Sequence, residues 1–427
     1  MIADSCLKFG LYAIVVVLLG MGLLGPLDSD AAESDSNASG TRFGGPDAVD
    51  NLIEEDSSDK GVAIDKRLVQ GWFDWKAGIQ EDHGLSLGMD YSSFFVRASE
   101  TGLSSEDAAS GGMFRFFGSW DLLGRGSANA GGLVWKIENR HTYTSIAPAD
   151  VEFDQGGIGI NEPVFSDQGG RVTNLYWRQR LKGGSITLVG GFLDATDYLD
   201  VFALASPWTG FLNFAFMTGT TTAFLPNDAT LGIVASGMLG ESIYAIAGVT
   251  NAYSDPKVPF RGFDLVGEGE FFKSIEIGWT PSQDRIYFDN AHVTYWHVDA
   301  SSLAGTPGGW GVNLQYVRYL NQNWMPFFRA GYADEGGSLM EQSISTGFGY
   351  QGTGSASLLG VAFNWGKPNE SSFGSGLNDQ YTCEVFYRFQ LTQQLAITPD
   401  VQMLLDPPNN ADHSSIWMVG IRARLAL

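Results

Sequence analysis

Cysteine is almost missing from this chain. There are two, Cys6 ahead of an apolar N-terminal stretch and Cys383 on the apolar face of an alternating segment, so no intrachain disulfide is expected. Positive charge is scarce as well: 25 Lys and Arg stand against 48 Asp and Glu, a net −23, which argues against nucleic acid as a partner. Apart from residues 11–24 there is no long apolar run, and mean hydropathy is near zero. That excludes a bundle of membrane-spanning helices. Neither a Gly-x-Ser-x-Gly elbow nor a phosphate-binding loop occurs. His292 and His297 are five residues apart, which on a strand sets them on opposite faces, so no shared metal is expected. The sequence therefore points to no catalytic residues, no metal and no cofactor.

What the chain does have is glycine, 55 residues, and aromatics, 13%. It also has segments of strict alternation. In 381–391, Tyr381, Cys383, Val385, Tyr387 and Phe389 alternate with Thr382, Glu384, Phe386, Arg388 and Gln390. In 395–405, Leu395, Ile397, Val401 and Met403 alternate with Ala396, Thr398, Asp400 and Gln402. At the C-terminus, Trp417, Val419, Ile421, Ala423 and Leu425 alternate with Met418, Gly420, Arg422, Arg424 and Ala426. Period two is the mark of a strand with one apolar and one polar face. Two arginines on one strand face need water or acidic partners. Apolar faces of about ten residues suit tilted strands crossing a bilayer, with lipid outside and a wet lumen inside.

The N-terminus reads differently. Lys8 and the apolar run of fourteen residues, 11–24, followed by Ser29 and Ala31, fit a signal peptide over 1–31. Residues 32–66 are rich in Asp, Glu, Ser and Gly and are expected to be a disordered acidic tail. Leu68, Trp72, Trp75 and Ile79 recur at helical spacing up to Gly84, which predicts an amphipathic periplasmic helix over 67–84, its stripe packed against the barrel floor. From 85 to 427 the alternation predicts strands at 85–96, 112–121, 131–143, 172–181, 185–193, 229–237, 242–250, 268–279, 291–299, 310–320, 324–332 and 355–365, besides the three C-terminal ones. Long and short connections alternate except at 333–354. Ile344, Thr346, Phe348 and Tyr350 alternate inside it, so a further strand at 343–350 restores the rhythm. The count becomes sixteen, an all-β transmembrane antiparallel barrel with both ends on the periplasmic side and an aqueous channel.

Certain stretches go beyond generic strand patterning. They are Phe363-Asn364-Trp365-Gly366, Asp379-Gln380-Tyr381, the run Glu384 to Thr392, and Leu395-Ala396-Ile397-Thr398-Pro399-Asp400-Val401-Gln402. With Gly190-Gly191-Phe192-Leu193-Asp194, Phe211-Leu212-Asn213 and Leu225-Pro226-Asn227, they make the chain from about residue 72 onward resemble the carbohydrate-selective porin family of bacterial outer membranes. The resemblance implies a passive channel for mono- and oligosaccharides in the bacterial outer membrane, in contact with its lipid and often a homotrimer. Such porins commonly end in Phe, whereas this chain ends in Leu427.

Strand phase assigns the inward side chains. Arg115, Lys136, Glu138, Arg140, Tyr176, Arg178, Arg180, Glu384, Arg388, Asp400, Gln402, Arg422 and Arg424 share the polar faces. Guanidinium donors, carboxylate acceptors and aromatic platforms meet the hydroxyls and C–H faces of a sugar. The bland alternative is that these charges only cross-link the wall and keep it wet. The longest connection, 194–228, holds Asp194, Asp197, Asp200 and Trp208 with several Phe. An apolar loop of that length is expected to fold into the channel as a constriction or to pack at a subunit contact. An anion-selective or general porin of the same architecture is the competing reading, supported by the inward arginines. An outer-membrane esterase needs a Ser and His together on one rim, and no such pair can be placed.

Overall fold

The computed structural model describes residues 43–64, 69–219, 221–223, 225–226 and 229–427. The expected signal peptide, residues 32–42 and residues 65–68 lie outside the described residues.

Sixteen strands form one sheet closed on itself. They are β1 (Leu85–Ala98), β2 (Ala108–Leu123), β3 (Gly131–Thr142), β4 (Gly169–Leu181), β5 (Ile186–Leu193), β6 (Thr230–Met238), β7 (Ile243–Asn251) and β8 (Phe271–Trp279), then β9 (Asn290–Val298), β10 (Gly309–Val317), β11 (Trp324–Glu335), β12 (Met340–Gln351), β13 (Leu358–Pro368), β14 (Gln380–Gln390), β15 (Leu395–Leu405) and β16 (Ser415–Ala426). Every neighbour in sequence is an antiparallel neighbour in space, and β1 closes on β16 from Asp90↔Ala426 to Ala98↔Met418. The segment inferred only from the loop rhythm, 343–350, is the core of β12. Closure leaves no strand edge unpaired, which is what a sheet in lipid requires.

Alternation does the sorting. On β16, Trp417, Val419 and Ile421 are exposed, whereas Met418, Arg422 and Arg424 are buried inside. Ile137 and Leu133 of β3 face out while Lys136, Glu138 and Arg140 face in. Some glycines are seats for aromatic rings: a Cβ on Gly311 would lie 2.6 Å from the Trp296 indole, and a Cβ on Gly420 would run into the Phe94 ring. The longest connections, 143–168, 194–229 and 252–270, lie at one end, and no connection at the other end exceeds the ten residues of 280–289. Outer-membrane barrels put short turns in the periplasm, so the start of β1 and the end of β16 sit at the periplasmic rim.

The 194–229 connection folds into the barrel. Its Phe202, Leu204, Phe211 and Phe216 pack on the inward Val317, Met325, Phe327 and Phe386, all buried. This is why the inner wall departs from polar at those positions: an apolar loop covers them.

Two N-terminal helices precede the barrel, α1 (Val49–Ser57) and α2 (Gln70–His83). α2 ends on Gly84 in the left-handed region, φ 67°. Its buried side is Phe73 and Lys76, while Trp75 is exposed. The expected stripe of Trp72, Trp75 and Ile79 is thus corrected by about one residue round the helix. A larger correction concerns the acidic tail. Residues 43–64 are not a disordered tail but an ordered segment inside the barrel, with Val49 and Leu52 against the inward Phe117 and Val134. Composition alone favoured disorder because the segment cannot make a core by itself. The barrel wall supplies the other half of that core.

Candidate functional site: the lumen

The inward side chains read from strand phase all lie within the barrel. They do not form one open ladder. Three groups of contacts divide them.

The first group holds the long loop. Glu384 on β14 accepts from the backbone N–H of Leu212 (2.7 Å) and Asn213 (2.9 Å). Arg422 on β16 donates to the carbonyls of Pro207 (2.6 Å) and Gly210 (3.2 Å), and Arg388 to that of Thr209 (3.2 Å). Gln402 on β15 accepts from Asn161 and Asn213 and donates to Glu162 and Asp400. Glu384 and Arg388, which share a strand face, therefore do not act as a pair. Arg115 lies under the loop with its guanidinium carbon 3.7 Å from the centre of the Trp208 ring. It is also paired with Asp90 on β1 (Nε to Oδ1 2.9 Å).

A second group fixes the loop at the opposite wall. Asp200 has φ 52°, a left-handed conformation rare for a residue with a side chain. It is held there by Arg329, by His292 (3.0 Å) and by the N–H of Gly219 (3.0 Å), while its own N–H donates to Glu276 (2.8 Å). Asp194 caps the turn after β5 by accepting from the N–H of Thr196 (2.9 Å). Asp197 accepts from Lys136 (2.9 Å) and Asn174 (2.6 Å). Burial pushes the Asp197 carboxyl up to about 7 against the pull of the Lys136 ammonium.

The third group faces the ordered N-terminal segment. Arg178 and Arg180 of β4 both bond to Asp50, with Arg180 at 2.9 Å. Arg424 of β16 makes a fork to Asp56 (3.0 and 2.8 Å) and bonds to Asp90 (2.8 Å). Tyr176 packs beside α1. Glu138 and Arg140 pair as residues two apart on one strand, at 2.7 and 2.9 Å, as Gln402 and Asp400 do at 3.0 Å.

Asp90, Glu276 and Arg329 were not singled out from the sequence, and His292 was weighed there only as a metal ligand. Their inward phase was readable, but nothing local says that Arg329 meets Asp200, 129 residues away. Nor does anything local mark Asp47, Asp50, Glu55 and Asp56 as lumen residues. Among the described residues no cluster of His, Cys, Asp or Glu has the makings of a metal site.

Residues 300–427 match the family model described as the carbohydrate-selective porin, OprB family. Over that stretch the chain is similar to that family. The match takes in β10 to β16, and with them Glu384, Arg388, Asp400, Gln402, Arg422 and Arg424. Solved structures agree on the barrel. The high-pH structure of Pseudomonas putida OprB has a TM-score of 0.66 at 14% identity, covering 83% of this chain and 97% of that one. The low-pH structure of the same protein has a TM-score of 0.52 at 13% identity, covering 87% and 99%. A mutant of Rh. blastica porin has a TM-score of 0.51 at 12% identity, covering 80% and 100%. At these identities the likeness shows the fold. No curated protein matches the chain.

Proposed function

We propose that this chain is a passive channel of the bacterial outer membrane through which carbohydrates diffuse into the periplasm. The observation that carries the reading is the OprB-family match on strands whose inward faces bear arginine, carboxylate and amide groups. Sugar hydroxyls both donate and accept, so a wall mixing guanidinium and carboxylate can exchange hydrogen bonds with them in passing. Contacts of this kind must be weak and repeated for the solute to leave. Sugar contact is assigned to the pair Glu138 and Arg140. The remaining charged residues anchor the loop or the N-terminal segment. Residues 1–31 are assigned as a cleaved signal peptide, and a homotrimer is the assembly that the resemblance implies.

Liposome swelling with a panel of mono- and disaccharides tests the reading. Sugars should enter faster than uncharged non-sugar solutes of equal size. Rates that follow size alone would replace it with a general porin. The runner-up, an anion-selective channel, rests on the concentration of Arg and Lys in the lumen of a chain whose net charge is −23. A zero-current potential near zero in a salt gradient would dismiss it.

A further inference from the structure

We propose that residues 43–64 are a reversible plug, a built-in acidic ligand that occupies the cationic seat in the periplasmic half of the lumen. The proposal rests on the channel reading above. The segment carries six acids and one lysine. Three of those acids are matched to wall cations: Asp50 to Arg178 and Arg180, Asp56 to Arg424, and Glu55 to Arg388 at 3.7 Å. Charge-assisted bonds of this type are the strong ones.

Position makes it a plug rather than a lining. Counted round the closed wall, β4 and β14 are six strands apart in a barrel of sixteen. A helix held at both stands across the opening. Its Val49 and Leu52 are buried against the wall, and the space left beside Tyr176 and Arg178 is about 60 Å³. That is room for about two waters at about 30 Å³ each. At its upper end the segment reaches the constriction loop, where the Gly45 N–H donates to the Asp197 carbonyl (2.7 Å) and Ser206 donates to Asp47 (2.7 Å). At its lower end Ala63 and Ile64 donate to the carbonyls of Gln390 and Leu391, and Lys60 exchanges two bonds with Gln393 at the periplasmic rim.

Two features make it removable. No strand of the barrel includes it, so closure does not depend on it. Two of the cations it covers also have acids on the wall itself, Asp121 for Arg178 (3.2 Å) and Asp90 for Arg424 (2.7 Å). Release therefore leaves these paired and lets water reach the rest. A carboxylate-bearing solute would find the same seat vacant once the segment has left.

Planar-bilayer recording tests the proposal. The full chain is compared with a chain lacking 43–64 and with the full-length triple variant Asp50→Asn, Glu55→Gln, Asp56→Asn, which keeps side-chain shape. The full chain should be mostly closed. Each charged contact removed should raise the open fraction by roughly tenfold, the ratio that the loss of one charge-assisted bond gives. A synthetic peptide of residues 43–64 should block the deleted chain from the short-turn side only, and its Asn/Gln version should block at least about tenfold less well. Equal open-state current and open fraction in all three chains, with sugar flux intact, would overturn the plug while leaving the porin reading standing. A deleted chain that is a folded barrel by heat-modifiable gel mobility, yet passes neither ions nor sugar, would overturn both.

Discussion

Glu152 is a buried loop carboxyl to which two amide side chains donate. It lies on a helical turn, Val151–Asp154, in the connection after β3, and is 1% exposed. Burial pushes its pKa up to about 7, although Asn213 (2.8 Å) and Gln380 (2.9 Å) donate to it and pull the other way. A folded-state value above the ordinary 4.5 means that the neutral form stabilises the packed loop. That contribution is complete below about pH 4.5 and is lost as pH rises through 7. Its size is on the order of 3 kcal/mol at most. Glu152→Gln should flatten the pH dependence of thermal stability between those limits, and an unchanged profile would place the titration elsewhere. The second residue-scale expectation concerns Arg140. Its loss removes the donor beside Glu138, so Arg140→Ala should weaken sugar block of the ion current by about 0.5–1.5 kcal/mol, up to roughly tenfold, with less change in open conductance. Equal changes in both would make the pair a general electrostatic wall.

Elements are held in two ways, by lipid on the outside and by buried polar bonds on the inside. The outer face of β16 presents Val419 and Ile421, each about half exposed, where lipid would lie. Ile421→Arg should therefore cost about 2–4 kcal/mol near the bilayer midplane. Reduced membrane yield and lost heat-modifiable mobility would register it. The constriction loop depends instead on Glu384. Glu384→Ala leaves the amides of Leu212 and Asn213 without their acceptor, at a cost of roughly 1–3 kcal/mol each if both stay dry. The loop should loosen while the barrel persists. Single-channel traces should become noisier at unchanged barrel stability. Quiet traces would mean that the apolar packing of Phe211 and Phe216 suffices.

At the scale of the whole molecule, the interior holds buried acids and buried bases together. Net charge is −23, yet Arg178, Arg180, Arg388, Arg422 and Arg424 line the inside. The N-terminal segment brings six acids to that interior. A chain lacking 43–64 should accordingly shift toward anions, read as a change in zero-current potential across a salt gradient. The shift should shrink at high salt, where the Debye length falls to about 3 Å. A potential that does not move would mean that the segment's charge is offset elsewhere along the path.

Strand identity, strand phase and the number of strands were legible in the residues themselves, because period two is a local property that each segment carries alone. The lipid set Val419, Ile421 and Leu425 and the lumen set Arg422 and Arg424 follow from counting. The rhythm of long and short connections even located β12. Partners were not legible. Arg424 meets Asp56 across 368 residues, and Glu384 accepts from the amides at 212 and 213 rather than from Arg388, its neighbour along the strand. Such pairings exist only once the barrel has closed and the loop has folded inward. For the same reason an acidic, core-poor stretch reads as disorder in sequence. Only the closed wall, with its cations facing inward, makes residues 43–64 an ordered part of the molecule.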